Sequence, residues 1–496
     1  MSTPPLEEKI KKGFVKHGKD ISGSTSNVGK EFIKAGKEIS KGVFKIGEAG
    51  LEASMAVGKG VYGVSKATVG AGVAVTKTAI AMATFPYRRR RSVKDYFWKA
   101  KGGVITGAAD NDPAGIATYS QVGASTGFSL LWLAIITTPM LIAVEEMSAR
   151  VGVVVKKGLN TVIREKFGMG WAMFAALILA ICNIATLGAD LAGMSAVLGM
   201  ITGVSWYWFL IPISLLILYV LIKGKYSTIS RFLFLVTPFL LLYVITAFIV
   251  KPDIMDVIKG TFIPTFSINT AGYLAAAIGV LGTTISAYLL FWETSQEIEQ
   301  KKSIDHLQKE ARGVTLGMIF CNVIFYFIIV CTGAVFFSHG INNIESANQA
   351  AEALKPLAGN FAYLLFSIGI FTSGVVAVPV LAASTSYVIS DAFGWNAGLN
   401  LNLNKAKAFY VTMTMAFIAG VSMSLFGLNP MKMLFYSQVL QGILTPILLV
   451  FLVLICNDKK IMGEFTNKFS ANFWGWFAII LMGGLSILMF WQLLVK

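Results

Sequence analysis

From residue 103 to residue 494 the chain is a succession of apolar runs, most of them long enough to cross a bilayer as a helix. In lipid every backbone N–H and C=O has to be satisfied within the protein, so such runs can only be helices here. Eleven are recognisable, near 103–125, 128–149, 171–202, 205–222, 232–250, 271–294, 313–337, 360–390, 406–427, 431–456 and 471–494. Composition agrees: 14% of residues are charged and the mean hydropathy is +0.68, against about 25% charged in soluble domains. The expected fold class is an all-α polytopic membrane protein.

The basic residues test that count. Arg88–Arg91 precede the first run. Lys156, Lys157, Arg164 and Lys166 follow the second; Lys223, Lys225 and Arg231 the fourth; Lys301, Lys302, Lys309 and Arg312 the sixth. Lys405 and Lys407 follow the eighth, Lys459 and Lys460 the tenth. All fall on one side of the membrane. The positive-inside rule then places the N-terminus in the cytoplasm and the C-terminus outside, in the plasma membrane. The net charge of +16 is read as loop charge facing anionic lipid, not as a nucleic-acid surface. No cleavable signal peptide is expected, because the first 50 residues are polar and lysine-rich. Cys182, Cys321, Cys331 and Cys456 form no CxxC pair, so no disulfide framework or metal knuckle is indicated.

Two domains are expected. Residues 1–97 form a basic N-terminal extension, amphipathic or disordered: Gly36, Gly47 and Gly58 are spaced by 11, and Lys66 and Lys77 repeat the spacing. Eleven residues keep one helix face constant, which suits a helix lying on anionic lipid. Residues 98–496 form the membrane domain.

Two runs are irregular. The first reads GAADNDPAGIATYS over 107–120, with Asp110, Asn111, Asp112, Pro113 and Gly115 where lipid would favour helix formers. Pro113 removes a ladder hydrogen bond and clashes with the turn before it. The sixth run carries Gly-Thr-Thr-Ile-Ser at its centre, 282–286. The two breaks lie five runs apart, which points to an inverted-repeat transporter with a midplane site. Ionisable groups within the runs are few, and each is a functional candidate: Asp110, Asp112, Glu145, Glu146, Asp190 and Glu293. Asp112, beside carbonyls freed by Pro113, makes an oxygen-rich cation site. Ser286 and Thr284 sit at the other break. Asp190 is a relay or gate candidate, Glu293 an exit-lining one, and Asp110 an outer vestibule ligand. An ion pair with Arg150 is expected for Glu145 and Glu146. His17, His306 and His339 all lie outside the runs, so no histidine proton relay is available. Neither break carries Met or Cys at its centre. Oxygen donors favour hard cations such as Mg²⁺, Ca²⁺ or Mn²⁺, and magnesium keeps several of its waters.

The stretches DPAGIATYSQVGASTGFSLLW and SARVGVVVKKGL resemble the first two helices of the Nramp divalent-metal transporters. NIATLGADLAG resembles their third helix, GTTISAYLLFWETS their sixth, and SQVLQGILTPILLVFLVLICNDKKIMGEFTN their tenth. The likeness covers roughly residues 100–496. It implies a LeuT-type fold, with an inverted repeat of five plus five helices and an eleventh helix. It also implies a metal site at Asp112, at Gly115 (the family's Asn position) and at Ser286 (its Met position). The carbonyls of Ala109 and Thr283 and the side chain of Gln438 complete that implied set. The family's Pro and His positions become Ala287 and Tyr288, and a second sixth-helix His position becomes Glu293. The third-helix acidic set becomes Asn183, Asp190 and Gly193. Losing the Met and both His resembles the Nramp-related magnesium transporters. The resulting expectation is Mg²⁺ uptake by alternating access with weak or no proton coupling, in a monomer with no cofactor and no enzymatic activity. The alternatives are a broad, proton-coupled divalent transporter with Mn²⁺ as substrate, an organic-solute transporter on the same fold, and a non-transporting scaffold or sensor.

Overall fold

Proline and glycine decide where the helices of this chain start, bend and stop. The computed structural model describes residues 107, 110–223, 241–265, 271–304, 307–353, 355, 359 and 362–495. The chain divides into two units, Met1–Arg89 and Arg90–Lys496, and everything described belongs to the second. The expected N-terminal extension and its boundary at residue 97 lie outside the described residues.

The helices in chain order are α1 Pro113–Thr126, α2 Trp132–Val155, α3 Leu159–Phe167, α4 Met169–Thr202, α5 Tyr207–Lys223, α6 Leu241–Val250, α7 Ile254–Phe262 and α8 Ala271–Thr284. They continue with α9 Ala287–Glu299, α10 Leu307–Val335, α11 Ala347–Glu352, α12 Ala362–Phe393, α13 Lys407–Ser424, α14 Pro430–Cys456, α15 Lys459–Met462 and α16 Phe469–Val495. Each of the eleven apolar runs carries a helix. Among the described residues, seven are long and apolar enough to cross a membrane, the α8–α9 pair being counted as one.

Both expected breaks are present. α1 starts at Pro113, whose missing N–H costs nothing at a first helical position. It stops at Gly127, where φ is +61° and a Cβ would meet the Phe337 ring at 2.8 Å. α8 ends at Thr284, and α9 restarts after Ser286, whose extended backbone (φ −80°, ψ 122°) interrupts the ladder. By contrast, Pro139, Pro212, Pro379 and Pro446 lie within continuous helices.

The broken helices lie at the centre. The α8–α9 span is 94% buried, whereas the α16 span is only 22% buried and turns its apolar side chains outward. α1 packs against α8, α10 and α14, and α4 against α12, α13 and α14. Small residues allow the close approaches: a Cβ on Gly282 would stand 2.1 Å from the Gln438 carbonyl oxygen, and one on Gly442 2.3 Å from that of Ile278. Lipid tails supply no hydrophobic force between helices, so such backbone-close contacts carry much of the association.

Candidate metal-ion site

Asp112 is the N-cap of α1, and its Oδ1 accepts a short hydrogen bond from the Gly115 N–H. The Ala114 N–H, next in the same unfilled first turn, donates to Asp190 Oδ1 of α4 at 3.0 Å. Two carboxylates thus share the positive end of one helix. Gln438 of α14 donates through Nε2 to the remaining Asp112 oxygen at 3.3 Å. Asp190 Oδ2, Gln438 Oε1 and Thr283 Oγ1 are buried and have no hydrogen-bond partner. Gly115 lets Thr283 Oγ1 and Asp112 Oδ1 approach one point: a Cβ there would lie 2.7 Å from the first and 2.9 Å from the second. Asp112 and Thr283 are 1% exposed, Asp190 and Gln438 not at all, so solvent does not reach the cluster.

The other carboxylate of the break faces elsewhere. Asp110 Oδ2 accepts from the Cys321 thiol of α10 at 3.0 Å. The Ser286 hydroxyl donates to the Thr283 carbonyl at 2.8 Å, and the Thr283 side-chain oxygen is a further donor atom beside the break. Tyr288 is fully buried, within the fields of Asp110, Asp112 and Asp190. Glu293, farther along α9, accepts from Gln296 Nε2 at 3.2 Å. Ala109 lies outside the described residues. Asp190, read as a relay, is a helix cap through one oxygen and free only through the other.

One residue escaped the sequence reading, and another was given the wrong partner. Cys321 brings sulfur to the break from another helix. Glu145 is fully buried and neither of its oxygens has a hydrogen-bond partner. The expected Glu145–Arg150 pair is absent: Arg150 donates to the Phe465 carbonyl and Asn467 Oδ1, both at 3.2 Å, and the glutamate it acts on is Glu146. The spacing held that signal, since Glu146 and Arg150 stand i, i+4 on one helix face and Glu145 does not share it.

No lysine or arginine is among the groups acting on Asp110, Asp112 or Asp190. Buried carboxylates without a basic partner have to be neutralised by a cation or a proton. Oxygens of carboxylate, amide and hydroxyl type, gathered on a bared helix end, can exchange for part of a metal ion's water shell.

Residues 103–492 match the family described as natural resistance-associated macrophage protein-like, Nramp. A curated relative, the divalent metal cation transporter MntH of Deinococcus radiodurans, is 25% identical over 405 residues, covering 79% of this chain and 89% of that protein. The crystal structure of the Eremococcus coleocola manganese transporter superposes with a TM-score of 0.64 at 17% identity, covering 82% of this chain and 89% of that one. MhsT in complex with L-phenylalanine gives a TM-score of 0.52 at 13% identity, covering 80% of this chain and 97% of that one. The fold is the LeuT-like one these structures share.

Proposed function

The chain belongs to the Nramp family of integral-membrane divalent-metal transporters, and from that premise we propose that it moves Mn²⁺ and other hard divalent cations across the membrane through the Asp112 cluster. One observation carries this reading. Asp112 and Asp190 are held at one helix end, with unpartnered oxygens on Asp190, Gln438 and Thr283 and no basic side chain among the groups acting on the two carboxylates. A cation completes such a site. Mn²⁺ as substrate is supported by the relatives, which are named as divalent-metal and manganese transporters.

A second reading, Mg²⁺ as the main substrate, has its own support. The donors around Asp112 are all oxygens, and oxygen ligands discriminate poorly against magnesium. The Cys321 thiol is engaged at Asp110, on the other face of the break. Inward transport, a cytoplasmic N-terminus and weak proton coupling belong to the same reading; the orientation rests on the lysine and arginine asymmetry of the loops, and the inward direction on the pull of an inside-negative potential on a divalent cation.

Flux competition in proteoliposomes tests both. Mn²⁺ uptake that Asp112→Asn abolishes supports the site. Inhibition of that uptake by millimolar Mg²⁺, with Mg²⁺ itself accumulating, supports the second reading; indifference to Mg²⁺ leaves a manganese transporter. A wild-type chain that moves neither ion ends the proposal.

A further inference from the structure

Asp190 and Gln438 reach the start of α1 from two different helices, so the distance between them depends on how α4 and α14 lie against each other. A line of contacts along the seam records that register. Gly193 of α4 meets Leu434 of α14: a Cβ on the glycine would stand 3.0 Å from Leu434 Cδ1. One turn on, Asp190 and Gln438 face the end of α1, bonded to the Ala114 N–H and to Asp112. A further turn on, Gln441 Nε2 donates to Thr186 Oγ1 at 3.0 Å. Thr186, Asp190 and Gly193 share one face of α4, and Leu434, Gln438 and Gln441 share one face of α14. The two sets run in opposite directions, so each residue of one helix meets its counterpart on the other.

A hydrogen bond resists sliding because it weakens steeply once its geometry is lost; an apolar contact such as Leu434 on Gly193 is non-directional. Thr186–Gln441 is the one side-chain hydrogen bond between α4 and α14 among the described residues. Both side chains are fully buried, and Gln441 Oε1 has no partner, so the amide is held through its nitrogen alone. We propose that this bond is a size clamp on the metal site. By fixing α4 against α14 it sets the span between the unpartnered oxygens Asp190 Oδ2 and Gln438 Oε1, and so favours smaller hard divalent ions over Ca²⁺. The clamp rests on the transport reading above. Ca²⁺ binds oxygens at about 2.3–2.6 Å in flexible arrangements, whereas Mg²⁺ requires about 2.0–2.1 Å and a near-octahedral set, so the span and stiffness of a site decide between such ions. Thr186 and Gln441 are positioning residues, which act on the ion through Asp190 and Gln438.

Competition between Ca²⁺ and Mn²⁺ on the purified full chain tests this, with released Mn²⁺ read by electron paramagnetic resonance. Thr186→Val keeps the shape and loses the hydroxyl; Gln441→Met, on the other helix, keeps the length and loses the amide. Each is expected to lower the preference for Mn²⁺ over Ca²⁺ about tenfold. Thr186→Ser, which retains the acceptor, is expected to keep the wild-type preference. The double variant should match the single ones, because either change alone removes the bond. The readout is a ratio, so a general loss of folded protein lowers the binding of both ions and leaves it unmoved. An unchanged preference in either single variant, a shift in Thr186→Ser as large as in Thr186→Val, or a double variant whose shift is the sum of the two overturns the clamp. Absence of any divalent flux through the wild type removes the transport reading itself; an unchanged preference in a chain that does transport removes only this inference.

Discussion

Asp112 does two things at once, and substitution can separate them. Its Oδ1 caps α1 through the Gly115 N–H, and its charge attracts a cation. Asparagine keeps an acceptor oxygen for the cap and drops the charge. Asp112→Asn is therefore expected to melt within a degree or so of wild type while losing divalent flux by about a hundredfold or more. Asp112→Ala should lose flux equally and also about 1 kcal/mol of stability through the missing cap, read as a lower melting temperature in detergent. Equal flux in the asparagine variant and the wild type would leave Asp112 as a cap only. Gly115 makes a complementary test. A methyl there would stand 2.7 Å from Thr283 Oγ1 and 2.9 Å from Asp112 Oδ1, filling the space between the oxygens. Because both neighbours are side-chain ends that can yield, Gly115→Ala is expected to fold and to bind Mn²⁺ about tenfold more weakly, measured by isothermal titration.

The broken helices work only if their neighbours hold them in register, and glycines set that distance. Gly282 sits where a Cβ would be 2.1 Å from the Gln438 carbonyl oxygen and 2.4 Å from the Gly442 nitrogen. Both are backbone atoms and cannot rotate away. Gly282→Ala is thus expected to push α8 off α14, cost about 1–3 kcal/mol, and draw Gln438 away from Asp112. Gly484→Ala, on α16 with no atom within 4 Å of its Cβ position, should be neutral or slightly stabilising. Thermal melts of the two variants in one detergent check the contrast. The breaks around these glycines were legible in the sequence: Pro113 next to three polar residues, and Gly-Thr-Thr-Ile-Ser in an apolar run, mark where a helix cannot continue. Gln438 beside Asp112 followed from the family resemblance. The lateral partners were not legible. α8 and α9 are buried all round, so apolar side chains cover every face and their pattern does not fix rotation about the helix axis. Hence nothing marked Cys321 as the residue that α10 would bring to Asp110. Glu145 was given an ion pair that belongs to Glu146 alone, because adjacent glutamates were treated alike, although residues one apart on a helix face different ways.

Taken together, the described chain gathers acidic side chains at its dry centre and keeps lysine and arginine away from them. The fully buried acidic side chains, Asp110, Glu145 and Asp190, meet no lysine or arginine. All residues of the Asp112 cluster lie between positions 110 and 438, so deleting residues 1–97 is expected to leave Mn²⁺ flux within about twofold of wild type; loss of flux would make that segment part of the transporter. A membrane potential acts on the cargo directly, contributing about 2.3 kcal/mol per charge per 100 mV. For a divalent ion this is about 4.6 kcal/mol per 100 mV, which corresponds to an equilibrium accumulation of roughly a thousandfold or more. No proton is needed to supply it. In proteoliposomes carrying a potassium gradient, valinomycin that makes the lumen negative is expected to speed divalent uptake severalfold. An imposed pH gradient at fixed potential should leave the rate nearly unchanged, and a lumenal pH dye should record little acidification. The buried carboxylates offer an alternative route, since an ion displacing protons from Asp190 or Glu145 would couple the two flows. Stoichiometric acidification that disappears in Asp190→Asn or Glu145→Gln would establish that coupling, and with it the broad proton-coupled transporter in place of the uncoupled one.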